Sequence, residues 1–504
     1  MARYKHTDIE DGQGLFLTVN LKNQLLPETF EYMLNDLIGR KIDVSMFDEN
    51  YKNDETGSKA IPPAVLIKLI IYGYSKGMKS SRKIWELSKE NIIAKALTGD
   101  MAVHWTAIAD FISGNSKKFQ EVFVKVLAYC GELGLIGGEE FAVDGLRLPS
   151  NASLEMGGTK EELEKKLAMY RRMAGRHVEK HRKRDEGAET DKETERLYQE
   201  RQKYLNRQIE KINCFLESTE ERKGKGGREI KSNITDNESA MIMSPSRGCF
   251  QGYIGIAVSD KRNQVIISGE AVGSANEGEH LPDLIDNTLS NLNEASVQIP
   301  EGNKPAFICD ANYFSEENFL ACERRDVEAI IPDGHYNRRL GVNNEKRYEA
   351  GDFEYHEDGN YYECPHGKKL EYKREKILGG KKGMLYQAGV KDCRACPFNS
   401  RCIRTKKEIH DWDKGRQIYI TDSNKPGSLC GGMRKKLSTE EYQNRYAYRI
   451  QIIEPVFANI SYCKGLNRFT LRGKDKVNGQ WKLYCIMHNL GKCLIGYNEK
   501  KKSA

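Results

Sequence analysis

The sequence predicts a mixed α/β protein: a mixed β-sheet flanked by helices, with an all-helical amino-terminal domain, a helical-hairpin insert and a cysteine-rich insert. Three observations lead there. Short apolar runs that meet an acid recur at "EFAVDGLRL" (140–148), "PAFICDANYF" (305–314) and "VEAIIPD" (327–333). They alternate with stretches whose apolar residues repeat every three or four positions, the helical period. Before residue 135 the helical period dominates. Strands alternating with helices give a sheet with helices on its faces.

In chain order, "LPETFEYMLNDLIG" reads as a first helix, and 61–100 reads as two more. Pro62 and Pro63 suit a helix start, Leu66, Ile70, Gly73 and Tyr74 keep helical spacing, and Gly77 ends that helix. "SSRKIWEL" opens the next behind a serine cap. Helices over 105–114 and through "KKFQEVFVKVLAYCGELG" complete a domain over 1–135, read either as a helix-turn-helix type or as plain helical packing.

In "EFAVDGLRL" the apolar run ends at Asp144, and Asp-Gly is a common turn pair, so the chain is expected to leave its strand at Gly145. A charged stretch follows. Leu163, Leu167 and Tyr170, then Leu205, Ile209, Ile212 and Leu216, mark two long helices around the turn "RDEGAETDK", a basic hairpin inserted over 156–232. Strands at 252–260 and 264–272, joined by "KRN", form a hairpin. A helix, a strand ending at Asp310, a helix and a strand ending at Asp333 come next. The sheet core therefore occupies 136–155 and 233–335, a cysteine-rich insert 336–435, a return to the core 436–496, and a basic tail 497–504.

Composition bounds the function. The 504 residues carry a formal charge of +7, with Lys and Arg gathered at 170–184, 221–231, 433–436 and 500–502. Such clusters suit a polyanion. No run approaches the ~20 apolar residues of a membrane helix, and "MARYKHTDIEDGQG" lacks an apolar export signal, so a cytoplasmic location is expected. The 13 cysteines, an odd number, argue against a disulfide framework.

Two carboxylates at neighbouring strand ends, Asp144 and Asp310, repel each other unless a cation compensates them. Oxygen ligands at an open site suit Mg²⁺, or Mn²⁺, and a third carboxylate would complete a two-ion site for displacement at phosphorus. The candidate is Glu454 in "YAYRIQIIEPVFANISYCKG" (446–465), on the helix face marked by Ile450, Ile453, Phe457 and Ile460, with Pro455 beside it. Arg445, Arg449, Lys464, Arg468 and Arg472 nearby suit phosphates. Asp236, Asp260 and Asp333 rank lower. In the insert, Cys364, Cys393, Cys396 and Cys402 suit a tetrahedral structural zinc site, buried thiols being the alternative. His366 is a weaker ligand candidate that reads rather as a loop histidine, and His488 reads as a packing or hydrogen-bonding residue.

"FAVDGLRLPSNAS", "FICDANYFSEENF" and "RIQIIEPVFANI…GLNRFTLRGKDKV…HNLGK", with "PPAVLIKLIIYGYSKGMKSSRKIWEL" upstream, together resemble the Asp-Asp-Glu transposases of bacterial insertion sequences, in the group with a cysteine-bearing insert before the final acid. The resemblance implies an RNase H-like core with Asp144 on the first strand, Asp310 after the fourth and Glu454 on a late helix. It implies two Mg²⁺ ions on these acids, Tyr446, Arg449, Lys464, Arg468 and Arg472 as DNA contacts, and an amino-terminal DNA-binding-type domain over 1–135 that helps recognise the element's ends. Tyr446, Arg449 and Glu454 follow the family's Tyr–Arg–Glu–Lys order with an Arg-to-Glu gap one residue longer than the commonest. Ser461 stands where a lysine often follows, with Lys464 as a substitute, and Gln480 replaces a frequent glutamate. The implied activity is metal-dependent cleavage at transposon ends and strand transfer into target DNA, by a homo-oligomer assembled on DNA at the nucleoid. The alternatives are an inactive transposase-derived DNA-binding protein and a metal-dependent DNA nuclease.

Overall fold

A computed structural model describes residues 19–51, 59–185, 192–224, 227–244, 247–300, 302, 304–340, 348–378, 381–403, 408–421, 425 and 427–502. The start "MARYKHTDIEDGQG" and most of the turn "RDEGAETDK" lie outside them. The chain divides into two units, Met1–Phe111 with Leu494–Ala504, and Ile112–Cys493. No described helix is long and apolar enough to cross a membrane.

The first unit is helical. Its helices α1 (Phe30–Leu37), α2 (Pro63–Ser75), α3 (Ser81–Glu90) and α4 (Ile92–Thr98) start where capping chemistry places them. The Thr29 hydroxyl accepts from the Tyr32 amide, and the Asn91 side chain accepts from the Ile93 and Ala94 amides. Pro63 opens α2, where its missing N–H costs nothing. Ser80 precedes α3, but its side chain makes no capping bond. Nearly every residue of α2 from Val65 to Tyr74 is buried, so this helix is the unit's core and the others pack around it.

The second unit is built on a mixed sheet. Its strands are β1 (Glu140–Pro149), β2 (Ala240–Ser244), β3 (Gly248–Asp260), β4 (Ile266–Val272), β5 (Ala306–Ile308) and β6 (Glu328–Ile330). Across the sheet the order is β4–β3–β1–β5–β6, with β2 paired to the start of β3. β3 runs antiparallel to β1 and β4, while β5 and β6 run parallel to β1. Three antiparallel strands followed by two parallel ones is an order consistent with an RNase H-like core.

From Gln251 to Asp260 every residue of β3 is buried, which makes it the spine of the sheet. The final helix α13 (Lys474–Lys502) lays Trp481 across it, the indole donating to the Ile256 carbonyl at 3.0 Å. Gly255 permits this approach, since a Cβ there would stand 3.0 Å from the indole. Helices α5 (Trp105–Gly114) and α6 (Phe119–Glu132) precede β1 in the chain, α9 (Leu281–Glu294) and α10 (Glu316–Arg324) connect the later strands, and α12 (Glu440–Ala458) packs on β1 and β3. Helices α7 (Lys160–Asp185) and α8 (Lys192–Ser218) pair through Leu163, Leu167, Leu205 and Ile212, the periodic residues of the sequence.

The later insert has its own antiparallel sheet, β7 (Glu354–His356), β8 (Tyr361–Glu363), β9 (Lys369–Leu378), β10 (Lys381–Ala388) and β11 (Gln417–Thr421), over a small core of Phe353, Tyr362, Leu370, Tyr386, Ile418 and Ile420. Between this sheet and α12 lies α11 (Leu429–Lys436).

Candidate active site

Phe141, Ala142 and Val143 are buried and anchor β1 in the sheet interior. The parallel register Glu140↔Ala306, Phe141↔Phe307, Ala142↔Ile308 then stops. Asp144 and Asp310 each lie two residues past the last pair, so the separating strands present both acids at the same level. The expected turn at Gly145 does not occur. β1 continues to Pro149 because β3 pairs with it as far as Gly252.

The glycine has another role. The third acid at this point is Glu277, between β4 and α9, and a Cβ on Gly145 would fall 1.9 Å from Glu277 Oε2. Only a residue without a side chain leaves this space.

Ligand oxygens of Asp144, Glu277 and Asp310 lie within 4.8 Å of one another. Asn312 ties two of the acids together, its Nδ2 donating to Glu277 Oε1 at 3.0 Å and to Asp310 Oδ2 at 2.9 Å. The Asn312 amide adds a bond to Asp310 Oδ1 at 3.0 Å. Asp144 Oδ1 accepts from the Gly145 amide at 2.8 Å, and Oδ2 from Arg449 Nη1 at 2.8 Å. Arg147 Nη2 approaches Glu277 Oε1 at 3.4 Å.

Glu277 Oε2 is buried without a hydrogen-bond partner among the described residues. An orphaned carboxylate oxygen is costly, and burial together with the charges of Asp310 and Asp144 holds the Glu277 carboxyl up at about 7. Burial and Asp144 also raise Asp310. Three carboxylates against the two guanidiniums of Arg147 and Arg449 leave one uncompensated negative charge when all are ionised. Oxygen ligands, an unpartnered oxygen and residual negative charge are the donor set that a hard divalent cation satisfies.

Two family models match the chain: a transposase DDE domain over residues 363–494 and a transposase domain (DUF772) over residues 19–114. Together the two matches support an insertion-sequence DDE transposase. No curated protein matches it. The DDE-domain match spans the four cysteines of the insert and α12 but not the strands that bear Asp144 and Asp310.

Glu454 stands apart from the three clustered acids. It is exposed on α12, whereas Arg449 of the same helix is buried and reaches Asp144. Five residues of α-helix turn the chain by about 140° beyond a full turn, so the two side chains cannot face Asp144 together while the helix stays regular. The expected apolar face also differs. Ile450 is 57% exposed, and the buried stripe is Arg449, Ile452, Ile453, Val456, Phe457 and Ile460. The helix runs through Pro455, and the Gln451 carbonyl that a residue at 455 would bond accepts from Gln264 Nε2 at 2.9 Å instead. A π-helical turn, Asn459–Cys463, follows.

The other expected residues have definite places. Tyr446 packs edge-on against Tyr336 near Arg449, and burial raises its phenol. Lys464 is half-buried. Arg468 and Arg472 are exposed and donate to the Ser150 and Asn151 carbonyls just beyond β1, at 3.1 and 2.9 Å. Arg468 lines a groove of about 460 Å³ with Arg247 and Phe250. Arg445 is bound to Glu140 and Glu328, at 2.6 and 2.9 Å. Asp333 pairs with Arg434, Asp236 accepts from Tyr253, and Asp260 accepts from the Gly137, Gly138 and Arg262 amides. His488 is buried on the Gln264 carbonyl, and burial lowers its pKa to about 4. Gln480 is buried on Thr470.

Cys364, Cys393, Cys396 and Cys402 line one small cavity of about 30 Å³, beside His366, which stacks on Phe398. The Lys368 and Arg416 amides donate to the sulfurs of Cys364 and Cys393 at 3.3 and 3.2 Å. Among the described residues, however, only the carboxylate trio brings three ligand atoms within 4.8 Å of one another. No three of the four sulfurs lie within that distance of one another.

Glu277 is the site residue that sequence reasoning missed. It follows the strand "QVIISGEAV" by five residues, in "SANEGEH". The rule that found Asp144 and Asp310, an acid just beyond an apolar strand, extends to it once a short loop is allowed.

Proposed function

We propose that this transposase cleaves DNA strands at the ends of a mobile element and joins the freed ends to target DNA. One observation carries the reading: three carboxylates from separate segments converge, with one oxygen buried and unpartnered. Asp144, Glu277 and Asp310 hold the divalent ions, Mg²⁺ or Mn²⁺. A bound divalent cation supplies Lewis-acid stabilisation of charge developing on a phosphodiester and activates the attacking oxygen. Asn312 fixes the relative orientation of Glu277 and Asp310 through one amide group. Arg449 orients Asp144 and, with Tyr446, Lys464, Arg468 and Arg472, presents cations and a phenol to the DNA backbone.

A second arrangement has its own support. The proline inside α12 and the π-turn after it weaken the helix where Glu454 sits. Unwinding there brings Glu454 to the site once DNA is bound, the place that the family signature assigns to the last acid. For the cysteine pocket we propose a structural zinc ion on Cys364, Cys393, Cys396 and Cys402, which requires the pocket to close.

The test is cleavage of a labelled duplex bearing the element's ends, with Mg²⁺ or Mn²⁺, by the wild type and by Asp144→Ala. Cleavage by the wild type alone supports the reading, and strand transfer from pre-cut ends separates a transposase from a plain nuclease. Equal cleavage by both proteins, or none by either, overturns it and favours a DNA-binding relic.

A further inference from the structure

Two buried polar atoms at the carboxylate cluster have no hydrogen-bond partner among the described residues: Glu277 Oε2 and the phenol oxygen of Tyr313. Tyr313 closes the short turn Ala311–Tyr313 that follows Asp310, and it is fully buried. Phenylalanine would fill the same space with no oxygen to satisfy, and a buried hydroxyl ordinarily has a partner. The backbone sets this residue beside Glu277. Asn318 Nδ2 donates to the Gly278 carbonyl at 2.9 Å and to the Tyr313 carbonyl at 2.8 Å, so one buried amide fastens the residue after Glu277 to Tyr313 itself. Gly278 runs so close to the same turn that a Cβ on it would stand 2.3 Å from the Asn312 carbonyl oxygen. Burial raises the Tyr313 phenol, and Glu277 raises it further, ahead of Cys309, Asp144 and Asp310. The hydroxyl therefore lies in the field of all three acids, Glu277 first.

Lone-pair accounting on Glu277 gives this donor its use. A carboxylate has about four acceptor sites, two on each oxygen. Asn312 and Arg147 take those of Oε1, at 3.0 and 3.4 Å. Oε2 keeps both of its own. A divalent cation occupies one, which leaves the other for an O–H. Ligating carboxylates are held by such outer donors, and an O–H to an ionised oxygen is among the stronger hydrogen bonds. Asp144 and Asp310 already have theirs, from the Gly145 and Asn312 amides. On Oε2 of Glu277 the corresponding donor is missing.

We infer that Tyr313 is a positioning residue of the ion site: its hydroxyl donates to Glu277 Oε2 when a divalent cation binds, and holds that oxygen in ligating orientation. The bond is not made in this structure, so it forms as the carboxylate turns toward the ion. The inference rests on the proposed function in taking Glu277 as a ligand.

The experiment titrates Mn²⁺ into the full chain by calorimetry, without DNA, and records the thermal midpoint of each protein after chelation. Tyr313→Phe removes the one oxygen and keeps the ring. It is expected to weaken Mn²⁺ binding by about tenfold or more, the usual effect of losing an outer partner of a ligand. The metal-free midpoint is expected to stay within about 2 °C, since the hydroxyl has no partner to lose among the described residues. In the Glu277→Gln protein the same substitution is expected to change Mn²⁺ affinity by less than about twofold, because the phenol acts through Glu277. Equal Mn²⁺ affinity in the wild type and Tyr313→Phe overturns the inference and leaves the proposed function standing. So does a loss of affinity that persists undiminished in the Glu277→Gln background. A metal-free midpoint that falls while the affinity holds also overturns it, and would make the hydroxyl a structural group. A wild-type chain that binds no Mn²⁺ strikes the proposed ion site itself, and this inference with it.

Discussion

Asp144 with Asp310, and the four cysteines of the insert, were both legible in the sequence as candidate metal ligands, yet the fold treats them differently. In the sheet, strand pairing that ends at Ala142↔Ile308 forces Asp144 and Asp310 to one level, and Asn312 locks Asp310 to Glu277. Backbone register, set by long buried strands, therefore preassembles the ligands despite their mutual repulsion. In the insert the cysteines come from loops and short helices, Val390–Arg394 and Asn399–Cys402, over a core of a few residues. They share a cavity, but no three of their sulfurs lie within 4.8 Å of one another. Preorganisation follows the size of the hydrophobic scaffold beneath a site rather than the strength of the motif.

The sharpest way to break this comparison is to remove one ligand from each centre. Asp310→Asn is expected to lower strand cleavage by on the order of 10³-fold or more, because the neutral amide cannot replace an anionic ligand in a site whose parts act as a unit. Cys393→Ser is expected to leave the metal-dependent rate of the soluble fraction within about threefold, its effect falling on folding. If the cysteine variant lost cleavage as fully as Asp310→Asn while its thermal midpoint stayed unchanged, the two centres would not be separable.

Next in size is the contest between the two remaining acids. Glu277→Gln is expected to cost ~10²-fold in cleavage. Gly145→Ala should reproduce much of that loss without removing a carboxylate, since the new methyl would stand 1.9 Å from Glu277 Oε2. Metal-dependent rates of the two variants, compared with Glu454→Gln, decide the matter. Full activity in Glu277→Gln with none in Glu454→Gln would assign the third ligand to the unwound form of α12.

That contest also shows where the sequence stops being readable. Asp144 and Asp310 were accessible because each follows an apolar run, and strand burial is a local property. The Asp-Gly pair suggested a turn because turn chemistry is local too, whereas the strand continues on account of a partner more than a hundred residues away, Gly252 opposite Pro149. Glu454 was placed on an apolar face by counting Ile450, but the phase of α12 is set by Arg449, a charged residue buried because Asp144 receives it. No periodicity of apolar residues reports a buried ion pair. The hairpin helices, whose contacts are mostly with each other, followed their periodicity closely.

A smaller effect tests the electrostatics. In the metal-free protein the Glu277 carboxyl, at about 7, faces Asp144, Asp310, Arg147 and Asn312, with the buried phenol of Tyr313 nearby. The folded state holds this proton more tightly than the unfolded chain does, so Glu277 contributes a loss of stability as pH rises from ~4.5 through about 7. A divalent cation replaces that proton. Mg²⁺ or Mn²⁺ at ~100-fold above its dissociation constant is therefore expected to raise the thermal midpoint by ~5 °C at pH 8 and by less at pH 6, and chelation should reverse the gain. Glu277→Gln should lose the pH dependence of this stabilisation. An ion effect equal at both pH values in the wild type would mean that no titrating ligand of this kind lies in the site.

The smallest effect concerns the cysteine pocket. Burial raises the Cys402 thiol to about 11, with the neighbouring thiols adding to the shift and Arg416 opposing it. Without metal the Cys402 thiol, and the Cys393 thiol that burial also raises, are therefore protonated and neutral near pH 7. Zinc would have to displace protons and draw the sulfurs inward, so its gain is the coordination energy less the cost of closing the pocket. Protein purified without chelator is expected to carry one zinc per chain by elemental analysis, and Cys393→Ser none, with a midpoint lowered by a few degrees. A wild-type chain free of zinc that melts unchanged after dialysis against chelator would make the four cysteines plain thiols. The register-built carboxylates would then be the one metal centre proposed here that survives.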